Sequence, residues 1–321
     1  MTRTVVIGVA ACGAALVLTP VAMRVAGRLG VVDRPGPLKP QRAPVPYLGG
    51  VAVFLAMSIG AALGRPTVLA PLGGALALGV LDDRLEVPAW ARLLAQTAIG
   101  LGVAAVVPVR LGGIGGAVLV AVVAVALMNG VNFIDGLDAL AAGTVCIAAV
   151  AFAVLLSGSG RDLAVASAGG LVGFLVYNRP PARVYLGDGG AYVLGASLAV
   201  LLVWTWAPHA PWSLSAAGLL VVAVPIAEVA FAVVRRLRAR RSLALGDRRH
   251  PYDLAVARGW SRPAAAAAYC FVELSCAGAA VAFGLSHVVV GAVLACIVAA
   301  FGLVFLAGAV GALSPDPEVR A

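Results

Sequence analysis

Charge is what this chain has least of. Only 12% of its 321 residues are Asp, Glu, Lys or Arg, where soluble domains carry about a quarter. With 62% hydrophobic residues, a water-soluble globule is excluded. The chain is read instead as an all-α polytopic transmembrane bundle forming one domain over residues 1–321. The five cysteines (Cys12, Cys146, Cys270, Cys276 and Cys296) all fall inside apolar runs. They lack metal-ligand spacing and read as small buried hydrophobes. Histidine is scarce as well, and two of the three, His209 and His287, look incidental.

Apolar runs are what the chain has in abundance. They lie near 4–23, 47–64, 67–81, 91–107, 117–130, 139–156, 163–177, 191–206, 214–234, 263–284 and 287–311. A hydrocarbon core about 30 Å thick takes about 20 apolar residues per helix, so these runs predict eleven membrane helices, several of them short. The run at 67–81 barely crosses. The first run is longer than a signal-peptide core and continues into a basic segment, so it is expected to be an uncleaved span.

Sidedness follows from the basic residues. With eleven alternating spans, nineteen of the 23 Lys and Arg residues fall on one side, leaving only Arg3, Arg65, Arg110 and Arg161 on the other. The basic side is assigned to the cytoplasm, which puts the N-terminus outside and the C-terminus inside. The net charge of +9 then describes a face suited to anionic lipid or phosphorylated substrates. Nucleic acid is not an expected partner, because the charge sits in loops between spans.

The acids obey the same rule. Asp33, Asp82, Asp83, Glu86, Asp135, Asp138, Asp188, Asp247 and Asp253 fall in the basic loops or at their helix mouths, while Asp162 lies opposite. Glu228 and Glu273 lie within apolar runs. A transporter is expected to keep its ionisable site near the midplane on repeated, interrupted helices, and no convincing internal repeat is present. An enzyme working at the cytosol–membrane boundary fits better, with active-site loops expected at 27–46, 82–90, 131–138, 178–190 and 235–262.

Four of these loops carry distinctive chemistry. Residues 129–138, Asn-Gly-Val-Asn-Phe-Ile-Asp-Gly-Leu-Asp, pack two amides and two carboxylates between uncharged flanks. Ionisable groups there mark a functional site, although Asp138 could simply cap the following helix. Asp82-Asp83-Arg84 places adjacent carboxylates at a helix C-terminus, against the dipole; a role with Mg²⁺ or as a base explains that cost. Gly187-Asp188-Gly189-Gly190 runs into a helix whose N-terminal amides attract phosphate, with Asp188 a hard ligand for Mg²⁺. The stretch Arg235–Arg262 opens as a helix with snorkelling arginines and continues as a phosphate-pairing loop around His250. The first cytoplasmic loop is proline-rich and extended, and Gly49-Gly50 after it allows a close approach by backbone or ligand.

Together these motifs resemble the polyprenyl-phosphate N-acetylhexosamine-1-phosphate transferases. The resemblance covers about residues 27–262 in the family's order: Pro46…Gly49-Gly50, Asp82-Asp83-Arg84, Asn129…Asn132…Asp135-Gly136…Asp138, Pro181-Ala182…Leu186-Gly187-Asp188, and the loop around His250. It implies that a polyprenyl phosphate attacks the β-phosphorus of a UDP-sugar, releasing UMP, at the cytoplasmic face of a bacterial plasma membrane. Asp188 and Asp135 are then expected to hold Mg²⁺, or Mn²⁺ in its place, with Asp82, Asp83, Asp135 and His250 as catalytic groups. Asn132, Gly136, Asp138, Tyr185, Arg248, Arg249 and Lys39 are expected to bind substrate, Asp138 and Tyr185 around the uracil. The expected partners are the UDP-sugar, the lipid phosphate, the bilayer and a second copy of the chain.

Two loops depart from the family's pattern. A His-x-His-His run is replaced by His250-Pro251-Tyr252-Asp253, and Arg-Lys-x-His by Lys39-Pro40-Gln41-Arg42. Both lie where the sugar is expected to be discriminated. UDP-GlcNAc is the preferred donor, and the peptide-bearing nucleotide of lipid I synthesis is the alternative. A flippase with an acidic ion pathway and a CDP-lipid transferase are competing readings. The Asp-Gly-x-x-Ala-Arg signature of the latter is unmet, since Asp135-Gly136-Leu137-Asp138-Ala139-Leu140 lacks the arginine.

Overall fold

In hydrocarbon a backbone must satisfy its own N–H and C=O groups, and a helix does so within one segment. The computed structural model, which describes residues 2–35, 43–242 and 249–286, follows that rule throughout. Helix α1 spans Thr2–Leu29, and two short strands follow, β1 (Val32–Asp33) antiparallel to β2 (Val45–Pro46), with Val32 opposite Pro46. Then come α2 (Gly49–Gly64), α3 (Leu69–Leu85) after a 3-10 turn at Pro66–Val68, α4 (Ala89–Val106) and α5 (Gly113–Ile134). Next are α6 (Leu140–Leu155), α7 (Gly158–Asn178), α8 (Gly187–Trp204), α9 (Trp212–Val221) and α10 (Ala223–Arg238). The short α11 (Pro251–Ala257) and α12 (Arg262–Ser286) complete the described elements.

An all-α membrane fold is therefore correct, and its details differ from the reading of eleven simple spans. Among the described residues five helices (α1, α4, α5, α8 and α12) are long and apolar enough to cross a membrane. The pair α9 and α10 is a sixth if its 62° bend falls within one span. The run at 214–234, expected as a single helix, breaks at Val222 because Pro225 has no N–H for the carbonyl four residues back and its ring crowds that carbonyl. Residues 251–257, expected as loop, form α11, with the Asp253 side chain accepting from the His250 N–H at 3.3 Å. The expected span at 287–311 lies outside the described residues.

Helix α8 organises the bundle. Every residue from Gly189 to Val203 is buried, as a helix apolar on all sides must be. It packs against α2, α3 and α5, and glycines set the approach. A Cβ on Gly50 would lie 2.3 Å from Gly190 Cα, one on Gly79 2.3 Å from the Asp188 carbonyl carbon, and one on Gly195 2.4 Å from Met128 Cα. The close approach expected at Gly49-Gly50 is therefore made by backbone: Gly49 N–H and Gly50 N–H donate to the carbonyls of Tyr185 and Leu186, each at 3.0 Å.

The helix ends separate into two polar zones. At one end Arg3 pairs with Asp162 at 2.7 Å and also donates to the Leu63 carbonyl at 2.9 Å. At the other end lie the C-termini of α3, α5 and α7 and the N-termini of α2, α4, α6 and α8, with the acidic motifs among them.

Candidate active site

Asp82 and Asp83 are neighbours in sequence but face different surroundings. Asp82 is 5% exposed, and its carboxylate is filled by three donors: Val87 N–H at 3.0 Å, Arg92 Nη1 at 3.0 Å and Tyr192 Oη at 2.8 Å. Asp83 is half-buried and caps α8, accepting from the N–H of Asp188 at 3.0 Å and of Gly189 at 3.4 Å. That contact explains two acids at the C-terminus of α3. The negative end of one helix is set against the positive end of another, with Asp83 between them. It also corrects the expectation that these two amides hold a phosphate, because Asp83 already occupies them.

Asp188 sits in the first turn of α8, and its Oδ1 accepts from Asn132 Nδ2 at 2.6 Å. Asn132 is on the last turn of α5, which runs beyond the expected loop start at 131. Asp135 follows at the helix end, where Asp188 and Asp83 are its charged neighbours. All four acids therefore converge at one mouth. Burial, then the Asp188 and Asp83 charges, pushes the Asp135 carboxyl well above the usual carboxylate range.

Asp138 does not cap α6. The N-cap residue there is Ala139, in the left-handed region at φ 62°, with no side-chain cap. Asp138 Oδ2 instead accepts from Ala182 N–H at 2.9 Å, tying the 135–139 turn to the loop after α7. Asn178, at the end of α7, closes the same seam from within: its Oδ1 accepts from Ala139 N–H at 3.0 Å and its Nδ2 donates to the Val184 carbonyl at 2.9 Å. Tyr185 lies in that loop, its hydroxyl pushed up to about 12 by burial and by Asp138 and Asp33.

His250 and Tyr252 approach the turn from the far side. Tyr252 Oη donates to the Phe133 carbonyl at 2.9 Å, and a Cβ on Gly136 would lie 2.2 Å from that oxygen. Gly136 thus makes room for tyrosine, the reason a side chain is excluded there. His250 is stacked on Tyr252 (5.6 Å, 8°) and tilted on Phe133 (5.0 Å). Arg249 is half-buried beside it, and Arg236 lies 5.6 Å over the Phe133 ring. Lys39 and Arg248 lie outside the described residues.

The donor set suits a hard cation. Among the described residues no three His, Cys, Asp or Glu side chains are grouped to enclose a metal. Mg²⁺ does not require such a cage, since it usually takes one or two carboxylates and completes its shell with water and substrate phosphate. Asp188 and Asp135 supply that number of carboxylates, and a bound cation would offset both the burial and the neighbouring charges that raise Asp135.

Sequence reasoning missed Arg92, Tyr192 and Asn178. Arg92 could have been found as the one cation four residues before a buried Gln96 in an otherwise apolar helix. Tyr192 has no local signal.

Comparison with known proteins gives the family. The profile of glycosyl transferase family 4 matches residues 66–205, which include Asp82, Asp83, Asp135 and Asp188. The chain is 31% identical to the decaprenyl-phosphate N-acetylglucosaminephosphotransferase of Mycobacterium tuberculosis, over 72% of this chain and 70% of that one. The chain belongs to glycosyl transferase family 4. It is also 29% identical to a probable undecaprenyl-phosphate N-acetylglucosaminyl 1-phosphate transferase of Bacillus subtilis, over 81% of this chain and 79% of the relative. A phospho-N-acetylmuramoyl-pentapeptide-transferase of Moorella thermoacetica shares 31% identity over 68% of this chain and 78% of its own.

Proposed function

We propose that the protein is an integral-membrane transferase that moves N-acetylhexosamine 1-phosphate, GlcNAc 1-phosphate first among candidates, from a UDP-sugar to a polyprenyl phosphate. The observation that carries this reading is the convergence of Asp83, Asp135, Asp188 and Asn132 at one mouth of the bundle. The names of the family relatives supply the substrate class. An oxygen of the lipid phosphate attacks the β-phosphorus, the bond from that phosphorus to the bridging oxygen breaks, and UMP leaves with the electron pair. A phosphate monoester has its second pKa near ~6, so the nucleophile is largely ionised and needs no strong base.

Phosphoryl transfer of this kind depends on positioning and charge neutralisation. Asp188 and Asp135 would hold Mg²⁺, which supplies charge neutralisation at the diphosphate oxygens. Asn132 orients Asp188, Asp83 fixes the start of α8, and Asp82 holds Arg92 toward the mouth. Asp138 and Tyr185 line the nucleotide side. The mouth faces the cytoplasm, on the positive-inside argument, in a bacterial plasma membrane. A flippase reading is disfavoured because these acids gather at one end of the helices rather than at mid-depth.

The test is radiolabelled UDP-GlcNAc, other UDP-sugars and the peptide-bearing nucleotide, each given with polyprenyl phosphate and Mg²⁺ to membranes containing the protein. Labelled lipid with UDP-GlcNAc and its loss with a chelator are expected. No lipid product from any donor would remove the reading, and product from the peptide-bearing nucleotide alone would change the donor.

A further inference from the structure

We propose that Glu228, together with Tyr269, is a positioning residue that fixes the tautomer and orientation of His250 for sugar-phosphate transfer; the inference rests on the function proposed above. Glu228 is 2% exposed on α10, Tyr269 3% exposed on α12, and His250 6% exposed at the start of α11. Glu228 Oε2 lies 3.0 Å from His250 Nδ1, and its Oε1 accepts the Tyr269 hydroxyl. An ionised carboxylate is acceptor-only, so the proton of this contact sits on Nδ1. Nε2 is then the ring nitrogen left to face a substrate oxygen.

The ring plane is fixed as well as the proton. Tyr252 stacks on one side and Phe133 tilts against the ring. Phe133 and Tyr252 belong to the same assembly as the acidic mouth, since Asn132 beside Phe133 bonds Asp188, and Tyr252 packs on Gly136 beside Asp135. A carboxylate in an apolar helix is costly unless it is satisfied by donors, and here each oxygen has one. Three separate elements, α10, α11 and α12, are joined through this one carboxylate. Holding a single imidazole is the use that matches those contacts. Removing the partner that orients a metal-bound histidine typically costs about 10–100-fold, and a loss of at least that order is expected for His250.

Two measurements test it. In the transfer assay, Glu228→Gln is expected to lower kcat about 10–100-fold while KM for the UDP-sugar stays within a few-fold, and Glu228→Asp to recover part of the loss. In a double-mutant cycle, Glu228→Gln is expected to cost nothing further once His250→Gln is present. Losses that multiply would overturn the proposal. The second readout needs no activity: with ¹⁵N-histidine labelling, only three imidazoles report, and His250→Gln assigns the signal. A Nδ1-protonated ring in the unaltered protein, becoming a mixture in Glu228→Gln, is expected. A Nε2-protonated ring, or no response to Glu228→Gln, would refute the positioning role even if the transferase reading stands. Absence of transfer in the unaltered protein would sink that reading while the resonance experiment still tests Glu228.

Discussion

Two corners meet at the mouth of this bundle, and they are built in opposite ways. The acidic corner between α3 and α8 is made of backbone: Asp83 accepts two main-chain amides, and glycines bring the helices within contact. The histidine corner among α10, α11 and α12 is made of side chains: Glu228 bonds both His250 and Tyr269, and aromatic rings fill the remaining space. Main-chain construction leaves little tolerance for movement, whereas a side-chain network can lose one member and keep its helices in place. The acidic corner should therefore fail steeply and through geometry, the histidine corner by degrees and through chemistry.

The largest effect should come from Asp188→Ala, with transfer down roughly 10²-fold or more, since an electrostatic group at the reacting phosphates is removed. Labelled lipid product measures it, and near-normal turnover would break the contrast between corners at once. Next is Gly79→Ala. Its Cβ meets the Asp188 and Gly189 backbone at 2.3 Å, and a shift of about 1 Å in a catalytic group can cost about 10²-fold. Gly13→Ala, in the middle of α1 and meeting nothing within 4 Å, is the matched control and should leave turnover unchanged.

Asp82→Asn sharpens the comparison through stability. It weakens the bonds from Arg92 and Tyr192 at once, and Arg92 remains a third in water. The cost expected is about 1.5–3 kcal/mol, read as a lower unfolding midpoint in detergent. The smallest effect has the opposite sign. An acid whose folded pKa is raised contributes stability that is present at low pH and is lost as pH rises past its unfolded value, about 3.9 for aspartate. With its carboxyl raised, Asp135→Asn should unfold a little later than the unaltered protein in a chelator at neutral pH. The gain should fade as pH falls toward that value, and Mg²⁺ should narrow it.

The acidic loops were legible because a carboxylate in a strongly apolar chain has few bland explanations, and their shared side followed from counting spans. Their partners were not. Nothing near Asp83 announces that it caps a helix starting 104 residues later, and Tyr192 and Tyr269 are single polar atoms inside runs that read as core. Glu228 stood out as an acid inside an apolar run, but its partner His250 is 22 residues away, beyond the end of α10. The bend itself was legible and overlooked: Pro225 stands inside the run at 214–234. Asp138 invited a capping explanation, yet α6 starts without a side-chain cap, and the cap that exists, on α8, comes from Asp83 on α3.

The carboxylate lodged at the start of α8 has one more effect. A helix beginning is ordinarily a welcoming berth for an anion, and here the polypeptide has moored its own. Any anion drawn to that end meets two amides already taken by Asp83, so the start of α8 offers it no open donors there. By filling this seat from within, the fold commits the positive end of α8 to holding α3 against it.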